Sequence, residues 1–165
     1  MAKKATQAQP AHLHTVTPHL TIKDAHKAME FYKKAFGAEE LMAFSGPDGK
    51  LMHGEIKIGD SVVFLGDECE QMGALGPISR GGSTCSLMVY FDNVDAAFDK
   101  AVAAGCKVVM PCMDMFWGDR FGSITDPFGH SWSLCQHIED VPMDEMKKRQ
   151  EESCKQMAAA AQTAK

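Results

Sequence analysis

The sequence predicts an α+β protein made of two consecutive βαβββ modules. A strand-like run followed by an amphipathic helix pattern occurs twice, and the second copy stands 68 residues after the first, from Asp24 to Asp92 and from Gly37 to Gly105. Each helix pattern is followed by three further short apolar runs separated by turn-forming residues. The 165 residues, 45% apolar and 24% charged, suffice for one domain with a real core.

In the first module the strand-like run Val16 to Ile22 leads to Asp24, expected as the helix cap, and then to Ala28, Phe31, Tyr32 and Ala35 at helical spacing, ended by Gly37. Strand-like runs follow at Glu40 to Phe44, Leu51 to Ile58 and Ser61 to Leu65. The second module repeats the order. Leu87 to Phe91 leads through Asp92 to Val94, Ala97, Phe98, Ala101 and Val102, ended by Gly105, and strands are expected at Lys107 to Met110, Arg120 to Thr125 and His130 to Cys135. Gly46-Pro47-Asp48-Gly49, Gly59-Asp60 and Asp126-Pro127-Phe128-Gly129 supply the turn chemistry for the hairpins.

Outside the modules, residues 1–12 are polar without periodicity and read as a disordered tail. The domain spans 13–137, with modules at about 13–66 and 84–137 and a Gly-rich, acidic linker at 67–83. Residues 138–165 form a C-terminal helical tail, the helix itself running from Met143 to Ala160 after Pro142.

A net charge of -5, with no basic cluster beyond Lys147-Lys148-Arg149, offers no footprint for nucleic acid. No apolar run approaches the length of a membrane span, so a cytoplasmic protein is expected, with small molecules or other protein chains as partners. None of the six cysteines forms a C-x-x-C pair, and they read as reduced thiols.

The paired modules, the Asp-Ala-x-x-Ala-x-x-Phe-Tyr opening at 24–32, His53-Gly54-Glu55 before Gly59-Asp60-Ser61, and Phe116-Trp117-Gly118-Asp119-Arg120 followed by Asp126-Pro127-Phe128-Gly129-His130-x-Trp132 resemble the vicinal oxygen chelate superfamily. Within it they are most similar to the PhnB-like branch, related to glyoxalases and bleomycin-resistance proteins. The resemblance covers about residues 13–137. It implies an open half-barrel sheet around a cavity with helices outside, and a homodimer. It also implies a divalent metal held by residues of the first and last strands of each module. The positions that match those ligands hold Thr17, Phe64, Ser86 and Ser133, so the usual four-residue metal site is not expected. No other cofactor is expected, although a divalent metal away from that site stays open.

Strand alternation then assigns faces. His53 and Glu55 share the cavity face of their strand, as an acid–base pair or as ligands of a noncanonical metal site. Thr17, His19 and Thr21 point the same way from the first strand, and Ser133 and Cys135 from the last, with Phe64, Ser86, Met88 and Tyr90 adding to the pocket lining. Arg120 under Trp117 is a candidate clamp for an anionic group. Two functions follow: a protein that binds a small organic ligand without chemistry, which the missing metal ligands favour, and a lyase or isomerase acting near a carbonyl or vicinal oxygens through His53 and Glu55. Association through the C-terminal helix is a third.

Overall fold

A computed structural model describes residues 2–163. The first module comprises β1 (His19–Ile22), α1 (Ala25–Phe36), β2 (Glu39–Ser45), β3 (Leu51–Ile58) and β4 (Ser61–Asp67). The connecting segment carries a 3-10 turn at Glu70–Met72 and a short α2 (Pro77–Arg80). The second module repeats the first as β5 (Ser86–Tyr90), α3 (Val94–Ala104), β6 (Lys107–Asp114), β7 (Asp119–Thr125) and β8 (Ser131–His137), and α4 (Met143–Thr163) follows. Each module is an open four-stranded mixed sheet, ordered β1-β4-β3-β2 and β5-β8-β7-β6. The first strand of each module pairs parallel with the last, β1 with β4 and β5 with β8, and the remaining pairs are antiparallel.

The pairings repeat as strictly as the order. His19 lies opposite Phe64 in one sheet and Met88 opposite Ser133 in the other, so along the first and last strands the modules superpose with an offset of 69. The helix starts, Ala25 and Val94, share that offset. Asp24 was expected to cap α1, but its backbone is left-handed (φ 66) and its carboxylate pairs with Lys27 instead. The cap comes from the far end of the module. Asp67, closing β4, accepts the Ala25 N–H at 3.1 Å and the Leu51 N–H at 2.7 Å. In the second module Gln136, again 69 positions on, accepts the Val94 N–H at 3.2 Å, while Asn93 rather than Asp92 caps the Ala96 N–H.

One face of each sheet carries its helix. Leu20, Ile22, Ile56, Val63 and Leu65 meet Ala25, Ala28, Met29 and Tyr32 of α1, all buried. A Cβ on Gly54 would sit 3.1 Å from the Met29 sulfur, so a glycine there lets α1 lie close on β3. In the second module Trp132, Leu134 and Ile124 back onto Val94, Phe98 and Ala101.

The modules share one core, and a buried carboxylate joins them. Asp126, in the β7–β8 turn, is 3% exposed. One oxygen accepts the Tyr32 hydroxyl from α1 at 2.7 Å and the Trp132 indole N–H at 2.8 Å, and the other accepts the backbone N–H groups of Phe128 and His130 at 2.9 Å each. Four donors satisfy a charge that burial would otherwise make costly. Around it Tyr32 stacks on Phe36 at 5.8 Å, and Phe36 meets Trp132 at 4.6 Å.

Replacing Asp126 by Ala strands those donors in the core and is expected to destabilise the protein by about 3–5 kcal/mol, while Tyr32→Phe removes one of them at a cost of about 1–3 kcal/mol. Urea unfolding checks both, and equal, small losses would show that the carboxylate does not hold the modules together.

Candidate functional site

The face of each sheet opposite its helix is open, and the registers show what stands on it. In the first sheet Met42, Glu55, Phe64 and His19 form one row across all four strands, because directly paired residues share a face. The next row contains Phe44, His53 and Thr21. His53 and Glu55 therefore do share a face, and His53 Nε2 lies 3.2 Å from Glu55 Oε1. The other Glu55 oxygen lies 3.2 Å from His12 Nε2. That contact comes from the segment preceding β1 and was not visible in the sequence, since nothing local ties position 12 to position 55. Glu55 is 6% exposed, so both of its oxygens are occupied in a sheltered place. The Phe64 ring packs edge-on against His53 at 4.8 Å and His19 at 6.3 Å. Burial, with His53 second, holds His19 below the ordinary imidazole range and favours its neutral form.

The open face of the second sheet carries Ser86, Met88, Tyr90, Ser133 and Cys135, as strand alternation required. The Ser86 and Ser133 hydroxyls bond each other at 3.1 Å. Cys135 is fully buried, and burial followed by Asp119 pushes its thiol up to about 11, so it holds no thiolate near neutral pH.

The centre of this face is Asp119, which the sequence places in the Phe116–Arg120 motif without giving it a role at the site. It is 6% exposed and accepts the Tyr90 hydroxyl at 3.0 Å and the Trp117 indole N–H at 3.2 Å. Its other oxygen is 2.8 Å from His137 Nδ1, and His137 Nε2 is 3.0 Å from Asp140. Arg120 is not brought to this site. It lies on the same side of β7 as Gly122 and Ile124, which face α3, and its guanidinium takes Asp95 at 2.8 and 2.9 Å and Asp114 at 2.8 Å. Trp117 and Arg120 thus occupy opposite faces, and no clamp forms.

At the four positions where the resemblance implies metal ligands, Phe64 offers only carbon, Thr17 gives its hydroxyl to the His14 carbonyl at 3.1 Å, and Ser86 and Ser133 bond each other. This donor set does not fit a divalent transition ion.

Between the modules lies a cavity of about 690 Å³. Its walls are mostly apolar: Phe36 and Trp132, Val62 and Val63 of β4, and Leu87, Met88 and Val89 of β5. Gly59, Asp60, Ser61, Tyr90 and His14 bring polar groups to it. Of the expected site residues it takes Met88 and Tyr90, whereas His53 and Glu55 are not part of its lining.

A family model described as the glyoxalase/bleomycin resistance protein/dioxygenase superfamily matches residues 11–134. An uncharacterised protein of Mycobacterium tuberculosis is 43% identical over 145 residues, which is 86% of this chain and 83% of the relative. Among solved structures, TioX from Micromonospora sp. ML1 is 25% identical with a TM-score of 0.59, covering 78% of this chain and 100% of its own. The PhnB protein of Bacillus cereus has the same fold at 19% identity, with a TM-score of 0.58 over 74% of this chain and 99% of its own.

The hydrogen bond to Asp119, with that to Asp140 second, raises the His137 pKa above the ordinary imidazole value. Its contribution to stability is therefore present below pH about 6.5 and lost as pH rises through the folded-state value. In Asp119→Asn the His137 titration followed by NMR is expected to move down towards the ordinary range, and an unchanged midpoint would remove Asp119 as its cause.

Proposed function

As the chain belongs to the glyoxalase/bleomycin resistance protein/dioxygenase superfamily, we propose that it binds a small organic ligand in the cavity between its modules, without metal-dependent chemistry. The observation that carries this reading is the cavity itself. At about 690 Å³ it falls inside the roughly 300–1,000 Å³ typical of small-molecule sites, and an apolar wall with a few polar groups is the usual lining. The donor set at the family's ligand positions supports the same reading, because chelation of vicinal oxygens needs an ion those side chains do not suit. Leu41, Met42 and Phe44 on edge strand β2 and Val108, Val109 and Met113 on edge strand β6 stand exposed, which suits the homodimer expected from the open sheets.

Toluene is a sufficient first probe, since an apolar cavity of this size takes it without any specific polar contact. A ligand that binds only the folded state adds stability of about 2.7 kcal/mol at a hundredfold excess over Kd. The melting temperature is expected to rise saturably with toluene, to lose that response in Leu87→Trp, where new bulk enters the cavity on the face that Leu87 shares with Trp132, and to keep it in His53→Ala. No saturable shift, or a shift that survives Leu87→Trp, would refute the cavity as the binding site.

A further inference from the structure

The cavity is where the internal repeat fails, and what fills the matching place in the other half indicates what it takes. The β3–β4 and β7–β8 turns are counterparts, with the pair Ile58–Ser61 closing one hairpin where Asp126 and His130 close the other. The loops inside them differ by one residue, Gly59-Asp60 in the first module against Pro127-Phe128-Gly129 in the second. With the offset of 69 along the last strand, His130 corresponds to Ser61 and Trp132 to Val63. The same offset carries Tyr32 of α1 to Ala101 of α3 and Thr21 of β1 to Tyr90 of β5.

In the filled half, the β7–β8 turn lies against the outer edge of β1. Ile22 turns its carbonyl to the Glu68 N–H, on the side of β4, so the neighbouring Thr21 presents its backbone to the outer edge, where Gly76 of the connecting segment also lies against it. The His130 ring, itself 9% exposed, reaches the Thr21 backbone there, and Phe128 packs on Phe31 and Tyr32 at 5.8 and 6.3 Å. In the other half the edge of β5 is presented in the same way and the plug is missing. Phe91 gives its N–H to Cys135 of β8, so Tyr90 presents its backbone to the free edge of β5, and opposite it stand Gly59, Asp60 and Ser61. The space that a histidine and a phenylalanine occupy on one side is open on the other.

We infer that the cavity takes a flat aromatic ring bearing a ring N–H, seated where His130 and Phe128 sit in the other half, with the N–H donated to the Tyr90 carbonyl and the ring against Trp132 and Val63. This rests on the cavity being a ligand site and adds the class of ligand. The apolar wall favours an uncharged ring over a charged one, and although Tyr90 turns both its N–H and its C=O to that edge, the His130 ring, which donates to the Thr21 backbone in the filled half, sets the pattern of a donor.

The test uses benzimidazole and 1-methylbenzimidazole, which differ by the donor, on the full-length protein at pH 7.5. Binding is followed by ligand-observed NMR and by the Trp132 indole N–H resonance. Benzimidazole is expected to bind saturably, to shift that resonance, and to bind several-fold more tightly than its methylated form. Ser61→His rebuilds the plug at an exposed position, and is expected to abolish binding of both and to raise the melting temperature. Equal affinities for the two probes, or benzimidazole binding undiminished in Ser61→His, would overturn the inference. Should Ser61→His fold poorly, Ser61→Trp serves as a second plug with the same expected loss of binding. If toluene binds and benzimidazole does not, this inference fails and the cavity remains a ligand site. If neither binds, both readings fail.

Discussion

The arrangement of the two modules depends on the carboxylate of Asp126. It is buried, charged and held by four donors, two of them the aromatic side chains Tyr32 and Trp132 from different modules. An ion in such a place tolerates little displacement, because moving any donor leaves a charge in low dielectric with a partner lost. That fixes α1 against the β7–β8 turn. The aromatic cluster of Tyr32, Phe36, Phe128 and Trp132 then fills that half of the interface.

Nothing equivalent occurs on the other side. Ile58, Val63 and Ala101 stand where Asp126, Trp132 and Tyr32 would be under the repeat, so neither the charge nor the ring volume is duplicated. A duplicated fold with one solid half and one hollow half has its free volume in a defined place, next to an unpaired strand edge and a wall of Val and Leu. Glu55 and Asp119 belong to a different part of the molecule, the open sheet faces, where each is sheltered and has its oxygens taken by neighbouring imidazole, hydroxyl or indole groups.

Most of the skeleton was legible from local signals. The repeat, the eight strands and the glycines ending α1 and α3 depend on periodicity and backbone freedom, which a sequence carries openly. The helix caps were not, because Asp67 and Gln136 reach Ala25 and Val94 only after the chain has traversed the sheet. Arg120 was misplaced by proximity to Trp117. They stand three positions apart, but the strand begins between them, and alternation from Asp119 turns Arg120 towards Asp95 of α3. The cavity was the least visible feature. Its cause is the absence of bulky side chains at Gly59 and Ser61, which stands out only when paired strands give the register that aligns Ser61 with His130.

Diffraction from crystals held under xenon gas would test the hollow half most directly, since xenon enters apolar cavities without needing a particular ligand. A xenon peak in contact with Trp132 and Val63, between the β3–β4 turn and β5, is the expected result. Crystals that take up xenon elsewhere while that volume stays filled by protein side chains would contradict the account.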